Sequence, residues 1–251
     1  MTSWNPTAHQ PLTVWRSEAV GDPESDLLEG IRLLERVRDG ESGPTLRLYR
    51  PEPTVAFGQR DIRLPGYGQA TASARRLGFA PVVRKAGGRA AAYHQGTLIV
   101  DHVEPAGEAM LGHQDRFRIL GELYARALGD LGIEAEVGEI PGEYCPGEFS
   151  VHGRPGPGSR TTSPVKLVGT AQRVVSGAWL FASVFVVEDS APLRAVLESV
   201  YADMGLDFDP TTAGAAEDLV PGTTVEAVEQ ALLQAYARHT TVVDPQQPLV
   251  G

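Results

Sequence analysis

The sequence predicts an α+β fold built on a mixed β-sheet flanked by helices. Three observations point there. Strand-length apolar runs and helix-length amphipathic stretches mix without regular βαβ alternation. Ala178–Val187 (AWLFASVFVV) is almost wholly apolar, as expected of a central strand covered on both faces. Asp115–Leu131 places Phe117, Leu120, Leu123, Tyr124, Ala127 and Leu128 at helical spacing before Gly132. That stripe reads as core, not as a binding face.

The remaining elements follow from local signals. Asp22–Val37 is the first helix, with Asp22 as N-cap, Pro23 at the first helical position and Leu27, Ile31 and Leu34 on one face. Thr45–Tyr49 and Thr54–Phe57 alternate as two strands joined by a Pro51-Glu52-Pro53 turn. Tyr67–Leu77 is a short helix. Pro81–Arg84, Ala90–Tyr93 and Thr97–Val103 are strands around Gly87-Gly88 and Gln95-Gly96. Glu148–Val151 and Lys166–Gln172 are further strands. Between them, Arg154–Pro164 (RPGPGSRTTSP) reads as a mobile surface loop near the mouth of a pocket. Two helices, about Ala191–Met204 and Thr224–Arg238, close the chain. No internal repeat is present.

Composition narrows the function classes. A formal net charge of −10 opposes sequence-independent nucleic-acid binding, which needs phosphate neutralisation. An acidic partner would need a local basic pocket. No apolar run approaches the roughly 20 residues of a membrane helix. The first residues lack a charged segment followed by an apolar one, so no secretory signal is expected. The chain has one cysteine and therefore no internal disulfide, and a reducing cytoplasm is the simplest home. The histidines His9, His94, His102, His113, His152 and His239 are scattered, with no metal-ligand spacing. No P-loop pattern occurs.

Chemistry-bearing residues concentrate in three places. In Pro81–Val103 (PVVRKAGGRAAAYHQGTLIVDHV), Arg84, Lys85 and Arg89 surround Gly87-Gly88. Paired glycines between strands make a hairpin turn or let the backbone approach a ligand; the flanking cations suit an anionic guest. Cys145, in EYCPGEF, is either a packing residue or an exposed nucleophile before a Pro-Gly turn. A thiolate accepts an acyl group well and needs a cation nearby. Lys166, in VKLVGTAQR, is the candidate cation, beside Gly169 and Thr170, where a carbonyl could meet backbone N–H groups. His94 is a general base or a hydrogen-bonded structural residue.

Together these residues resemble the lipoate-protein ligase and cysteine-dependent octanoyltransferase branch of the biotin/lipoate protein ligase family. Arg84-Lys85-Ala86-Gly87-Gly88-Arg89 through His94 is similar to the family's basic-x-Gly-Gly stretch. Lys166-Leu167-Val168-Gly169-Thr170-Ala171-Gln172 is similar to its lysine strand, in the expected order. The likeness covers about residues 25–190. It implies that family's catalytic-domain fold, a tunnel for a medium-chain acyl group, and a lysine, here Lys166, at the acyl carbonyl. Arg84, Gly87, Gly88 and His94 carry over as pocket-loop residues. Arg89 stands where ATP-dependent ligases have a third glycine, and Cys145 stands where the octanoyltransferases have their cysteine. The residues after Val187 would be too few for the sizeable C-terminal domain of classical ligases, though some ligases carry that domain on a separate chain.

The resemblance therefore implies a cytoplasmic acyltransferase with a catalytic domain over residues 1–190. Residues 191–251 would be a helical extension packed on it. It implies transfer of an octanoyl or lipoyl group through a Cys145 thioester, with Lys166 activating the thiol. Arg84, Gly87, Gly88, Arg89, His94, Gly169 and Thr170 would bind substrate. No cofactor is required of a transferase. Lipoyl domains of 2-oxoacid dehydrogenases, or the glycine cleavage H protein, would be acceptors, and acyl carrier protein a possible donor. Two alternatives stand beside it. One is a lipoate ligase using ATP and magnesium, with Cys145 incidental; the other is a non-catalytic lipoate- or carrier-binding paralogue.

Overall fold

A computed structural model describes residues 10–18, 21–85, 87–106 and 112–245. His9 and Ala86 lie outside the described residues. In chain order the elements are β1 (Leu12–Arg16), α1 (Pro23–Arg38), β2 (Thr45–Tyr49), β3 (Thr54–Phe57), α2 (Tyr67–Arg76), β4 (Ala80–Val83), β5 (Ala91–Tyr93) and β6 (Thr97–Ala106). They continue with α3 (His113–Gly129), β7 (Glu134–Val137), β8 (Val151–Arg154), β9 (Val165–Val175) and β10 (Gly177–Val186). The last are α4 (Ser190–Met204), α5 (Ala216–Leu219), α6 (Val225–Ala237) and β11 (Val242–Val243).

Among the described residues, eight strands form the main sheet in the order β11-β1-β2-β6-β10-β9-β8-β7. β1 runs parallel to both neighbours, and the pairs from β2 onward are antiparallel, so the sheet is mixed. As its apolar sequence predicts, β10 lies inside the sheet, paired along its length by β6 on one side and β9 on the other. One face is covered by α3 and α6, whose Leu120, Tyr124, Leu128, Leu232 and Tyr236 pack on Leu46, Leu98, Val100, Phe181 and Phe185. On the other face α1 lies over β6 and β10. Asp22 caps α1, its carboxylate accepting from the Ser25 amide at 3.3 Å and the Ser25 hydroxyl at 2.6 Å.

A second sheet, β4-β3-β5, corrects two expectations. Thr45–Tyr49 and Thr54–Phe57 are strands, but they do not pair with each other. Pro51-Glu52-Pro53 carries the chain from one sheet to the other. Nor is Gly87-Gly88 a hairpin turn. β4 lies parallel to β3 on one side and β5 antiparallel on the other, so the loop between them crosses the end of β3. α2 and α4 pack beside this sheet around Phe57, Ala74, Leu197 and Tyr201.

Other differences are local. Residues 148–150 form a turn closed by the Ser150 amide on the Gly147 carbonyl (2.9 Å), and the strand starts only at Val151. β7 has the sequence Glu-Ala-Glu-Val, poor in strand-forming residues; it is an edge strand that pairing with β8 alone creates. β1 and the two-residue β11 likewise exist through their parallel neighbours. Arg154–Pro164 is not at a pocket mouth. Its Arg160 amide donates to the Asp218 carbonyl (2.6 Å), and the Ser159 hydroxyl donates to Leu219 O (2.8 Å), pinning it against α5.

Gly153 of β8 shows how closely this edge is packed. A Cβ there would overlap Leu219 Cδ1 and sit 2.8 Å from Leu167 Cδ1. Gly153→Ala should therefore lower stability by about 1–3 kcal/mol, the usual cost of overpacking a filled core. Urea unfolding read by circular dichroism measures it, and an unchanged midpoint would contradict this packing.

Candidate active site

The two sheets meet at a cleft closed by two loops. The first, residues 84–90, continues β4: the Arg84 amide still donates to the Phe57 carbonyl (2.9 Å) before the chain turns across the end of β3. The crossing is tight. A Cβ on Gly58 would overlap the Gly88 carbonyl oxygen. Gly88 has φ +101°, and a Cβ there would lie 2.7 Å from the Cys145 sulfur and 2.5 Å from Arg84 Nη2. Glycine is required at Gly88 by both conformation and space. Arg89 is anchored by its guanidinium on the fully buried Asp61 (3.1 Å), whose other oxygen accepts from the Gly58 amide (2.8 Å).

The second loop, residues 139–150, carries the cysteine. Cys145 adopts φ +43°, a left-handed conformation that costs a non-glycine residue of order 1–3 kcal/mol. Its neighbours hold it there. The Cys145 amide donates to the Tyr201 hydroxyl (2.6 Å), which donates on to the Ala90 carbonyl (2.9 Å). The Cys145 carbonyl accepts from Lys166 Nζ (2.8 Å). Two donors meet the half-buried sulfur: Arg84 Nη2 at 3.4 Å and the Arg89 amide at 3.2 Å. Arg84 Nη2 also holds the Arg89 carbonyl (2.6 Å), so one guanidinium ties the glycine loop to the thiol.

Lys166 is in the site but does not do what the sequence suggests. Its Nζ does not bond the sulfur. It donates to Glu143 Oε1 (3.0 Å) and to the carbonyls of Tyr144 (3.0 Å) and Cys145 (2.8 Å). The physical reason is burial. A lysine 2% exposed must be compensated by a charge and filled with acceptors, and Glu143, equally buried, supplies the charge. The cation at the thiol is Arg84 instead. Glu143 also accepts from the Ser150 hydroxyl (2.6 Å), the Gly147 amide (3.2 Å) and the Ile140 amide (3.2 Å), gathering the whole cysteine loop.

The cleft encloses a cavity of about 380 Å³, within the usual range of ligand pockets, roughly 300–1,000 Å³. Arg84, Gly87, Gly88, Cys145, Lys166, Gly169 and Thr170 all line it. Gly169 leaves its floor bare, and the Thr170 hydroxyl donates to the Phe149 carbonyl (3.3 Å), tying the cysteine loop to β9. His94 is elsewhere. It does not line the cavity, its Nδ1 accepts from the Gly96 amide (2.8 Å), and its Nε2 donates to the Asp189 carbonyl (2.8 Å). It stabilises the β5–β6 turn. Among the described residues no cluster of histidine, cysteine, aspartate or glutamate could hold a metal.

The sequence pattern does not reveal several lining groups. Leu27, Leu28 and Ile31 of α1 form the roof, and Tyr49, Tyr93 and Tyr144 line the walls. Burial pushes the Tyr93 phenol up to about 12, against the pull of Arg84, so it stands neutral in the cavity. Asp101, in the middle of β6, also faces the cavity; burial raises its carboxyl, and Arg47 opposes the rise. The signal that could have found this pair is a charge inside each of two strand patterns, TLRLY and LIVDHV.

The sequence model of the lipoyl protein ligase A/B catalytic domain matches residues 31–237. The chain belongs to this family. An octanoyl-[GcvH]:protein N-octanoyltransferase of Geobacillus kaustophilus is 29% identical over 191 residues, 75% of this chain and 63% of the relative. A lipoyl-[GcvH]:protein N-lipoyltransferase of Listeria monocytogenes is 24% identical over 192 residues, 70% of this chain and 64% of the relative. This chain thus spans less than two thirds of either relative. Among solved structures, a putative lipoate protein ligase from T. acidophilum with bound lipoic acid aligns with a TM-score of 0.71. It is 17% identical, over 96% of this chain and 90% of that one. A lipoate-protein ligase A bound with ATP gives 0.70, also at 17% identity, over 96% and 89% of the two chains. These two share the mixed sheet and its flanking helices.

Two outcomes follow for this lipoyl protein ligase family member. Lys166→Met leaves Glu143 as a buried uncompensated charge, so stability should fall by about 3–5 kcal/mol. Lys166→Met with Glu143→Met should recover most of that loss in urea titration. Gly88→Ala should slow alkylation of Cys145 by iodoacetamide by about tenfold or more, because the added methyl crowds the sulfur and displaces Arg84. Alkylation at the unchanged rate would show that the loop yields freely.

Proposed function

We propose that this protein transfers an octanoyl or lipoyl group to the acceptor lysine of a lipoyl domain through a thioester on Cys145. One observation carries the reading. The only sulfur nucleophile of the chain stands at a largely apolar cavity, in a strained backbone conformation, with a guanidinium and a backbone amide directed at it. Cysteine splits one difficult acyl transfer into two easier ones.

In the first half, the Cys145 thiolate adds to the carbonyl of the acyl donor. A new C–S bond forms, the bond to the donor's sulfur or nitrogen breaks, and the departing group takes a proton. In the second half, the neutral ε-amine of the acceptor lysine attacks the thioester. An amide forms, the lysine nitrogen loses its proton, and the Cys145 thiol is regenerated. Arg84 and the Arg89 amide stabilise charge on the sulfur in both halves. Lys166, reaching the Cys145 carbonyl, holds the nucleophile in position. The acyl chain lies in the cavity under α1. The names of the Geobacillus and Listeria relatives support the two acyl groups and an H-protein donor.

Lys85, Arg84 and Arg89 flank the glycine loop of a chain whose net charge is −10. Arg84 is held at the thiol and Arg89 on Asp61, so the exposed Lys85 offers the local cation to an acidic lipoyl domain or H protein. No ATP takes part in this route, and the cytoplasm, where such acceptors are made, is its proposed place.

Incubation with octanoylated H protein, without ATP, should add one octanoyl mass to the protein, removable by hydroxylamine. Cys145→Ser should form no such adduct and transfer no octanoyl group, since a hydroxyl is a far weaker nucleophile at neutral pH. Full transfer by the serine variant would end the thioester route. If that activity required ATP and released AMP, ligation would take its place. Acylation by octanoyl-acyl carrier protein in place of the H protein would reassign the donor.

A further inference from the structure

The cavity floor is a pair of cross-strand rows. In one, Gly169 of β9, Val184 of β10, Ile99 of β6 and Tyr49 of β2 stand side by side. In the next, Ala171, Ala182, Asp101 and Arg47 do. On β9 and β10, Gly169, Ala171 and Ala182 are small and leave a trough beside Val184. On β2 they are large and fill it. Between them stands Asp101, whose carboxylate accepts from Arg47 Nη1 at 3.0 Å.

This end of the trough is rigid. Arg47 is 1% exposed and stacks on the Tyr49 ring at 3.9 Å. Its Nη1 also donates to the Asp26 carbonyl of α1 (2.9 Å), and its Nε to the Ser17 hydroxyl (2.9 Å). From above, Gly30 of α1 comes so close that a Cβ would lie 2.7 Å from Asp101 Oδ2. The carboxylate is clamped between helix and guanidinium and has no room to swing aside.

We propose that the Asp101–Arg47 pair, backed by Tyr49, is the end stop of the cavity and limits its guest to a medium-length acyl chain. This rests on the reading of the cavity as an acyl-chain site. Two strand spacings of about 4.8 Å separate β9 from β6, a run of roughly 10 Å. The seven C–C bonds of an extended octanoyl group, at about 1.5 Å each in zigzag, span about 9 Å. A longer chain meets a hydrogen-bonded, buried ion pair that it can neither displace without loss nor bond to. Each methylene beyond the stop stays in water and adds nothing, where burial would have added about fourfold in affinity.

The test measures binding and needs no turnover. Cys145→Ala protein is titrated calorimetrically with butanoate, octanoate, dodecanoate and hexadecanoate. Affinity should rise about fourfold per methylene from butanoate to octanoate and stop rising there, dodecanoate binding no more than about threefold more tightly than octanoate. Arg47→Met with Asp101→Ala removes both charges together, leaving neither uncompensated, and opens the end of the trough. It should restore the rise, with dodecanoate binding at least about tenfold more tightly than octanoate. A rise that continues to dodecanoate in the Cys145→Ala protein, or no rise at all, would overturn the end stop. So would an unchanged ratio in the folded double variant. Should that variant not fold, Ala182→Leu blocks the trough one strand short of the stop. Octanoate should then weaken about tenfold and butanoate less than threefold, and equal effects would refute the placement. Failure of acyl transfer would remove the proposed activity and leave these ratios standing. Affinity that keeps rising with chain length would remove the end stop and leave transfer standing.

Discussion

A buried lysine cannot stand without a counter-charge, and the answer this chain gives to that constraint organises its site. Lys166 enters the interior from β9 and finds Glu143. Removing two charges from water is costly, and the cost is offset only when the remaining donors and acceptors are filled. Lys166 fills its own with the carbonyls of Tyr144 and Cys145, and Glu143 fills its own with Ser150, Gly147 and Ile140. The ion pair thereby shapes the loop on which the thiol sits. A left-handed Cys145, unfavourable by itself, becomes part of the least costly arrangement of that loop.

The thiol is fixed from the opposite side by a second, independent set of contacts. Tyr201 of α4 joins the Cys145 amide to the Ala90 carbonyl, so a helix of the second sheet's core braces both loops at once. Gly58 and Gly88 allow the glycine loop to cross β3 closely enough for Arg84 and the Arg89 amide to reach the sulfur. Positioned donors of this kind need no reorganisation when charge develops, which is why preorganisation contributes so much to catalysis.

The main sheet serves two purposes with its two faces. Toward α3 and α6 it presents Leu98, Val100, Phe181 and Phe185 and builds the core. Toward α1 the alternate residues of the same strands, among them Ile99, Ala182 and Val184, leave space instead. Because side chains alternate across a strand, one sequence can carry a packed face and a hollow one without compromise between them.

Much of the fold is legible in the amino-acid sequence. Strand and helix periodicity places β2, β3, β6, β10, α1, α3, α4 and α6 within a few residues, since each buries an apolar face that its own sequence announces. Cys145, Arg84, Gly87-Gly88 and Lys166 stand out by residue type and neighbours, and all of them line one cavity. What the sequence does not contain is pairing at a distance. Whether Gly87-Gly88 closes a hairpin or crosses a strand depends on which strand lies between β4 and β5. Which cation meets the sulfur depends on Glu143 claiming Lys166. His94 has the chemistry of a base, but both its ring nitrogens are taken by backbone partners. Sequence by itself determined the long helices, the apolar strands, the family and the candidate site residues, because those follow from local pattern. Only the tertiary structure decided their partners and roles, because hydrogen bonds and ion pairs are chosen by proximity in space.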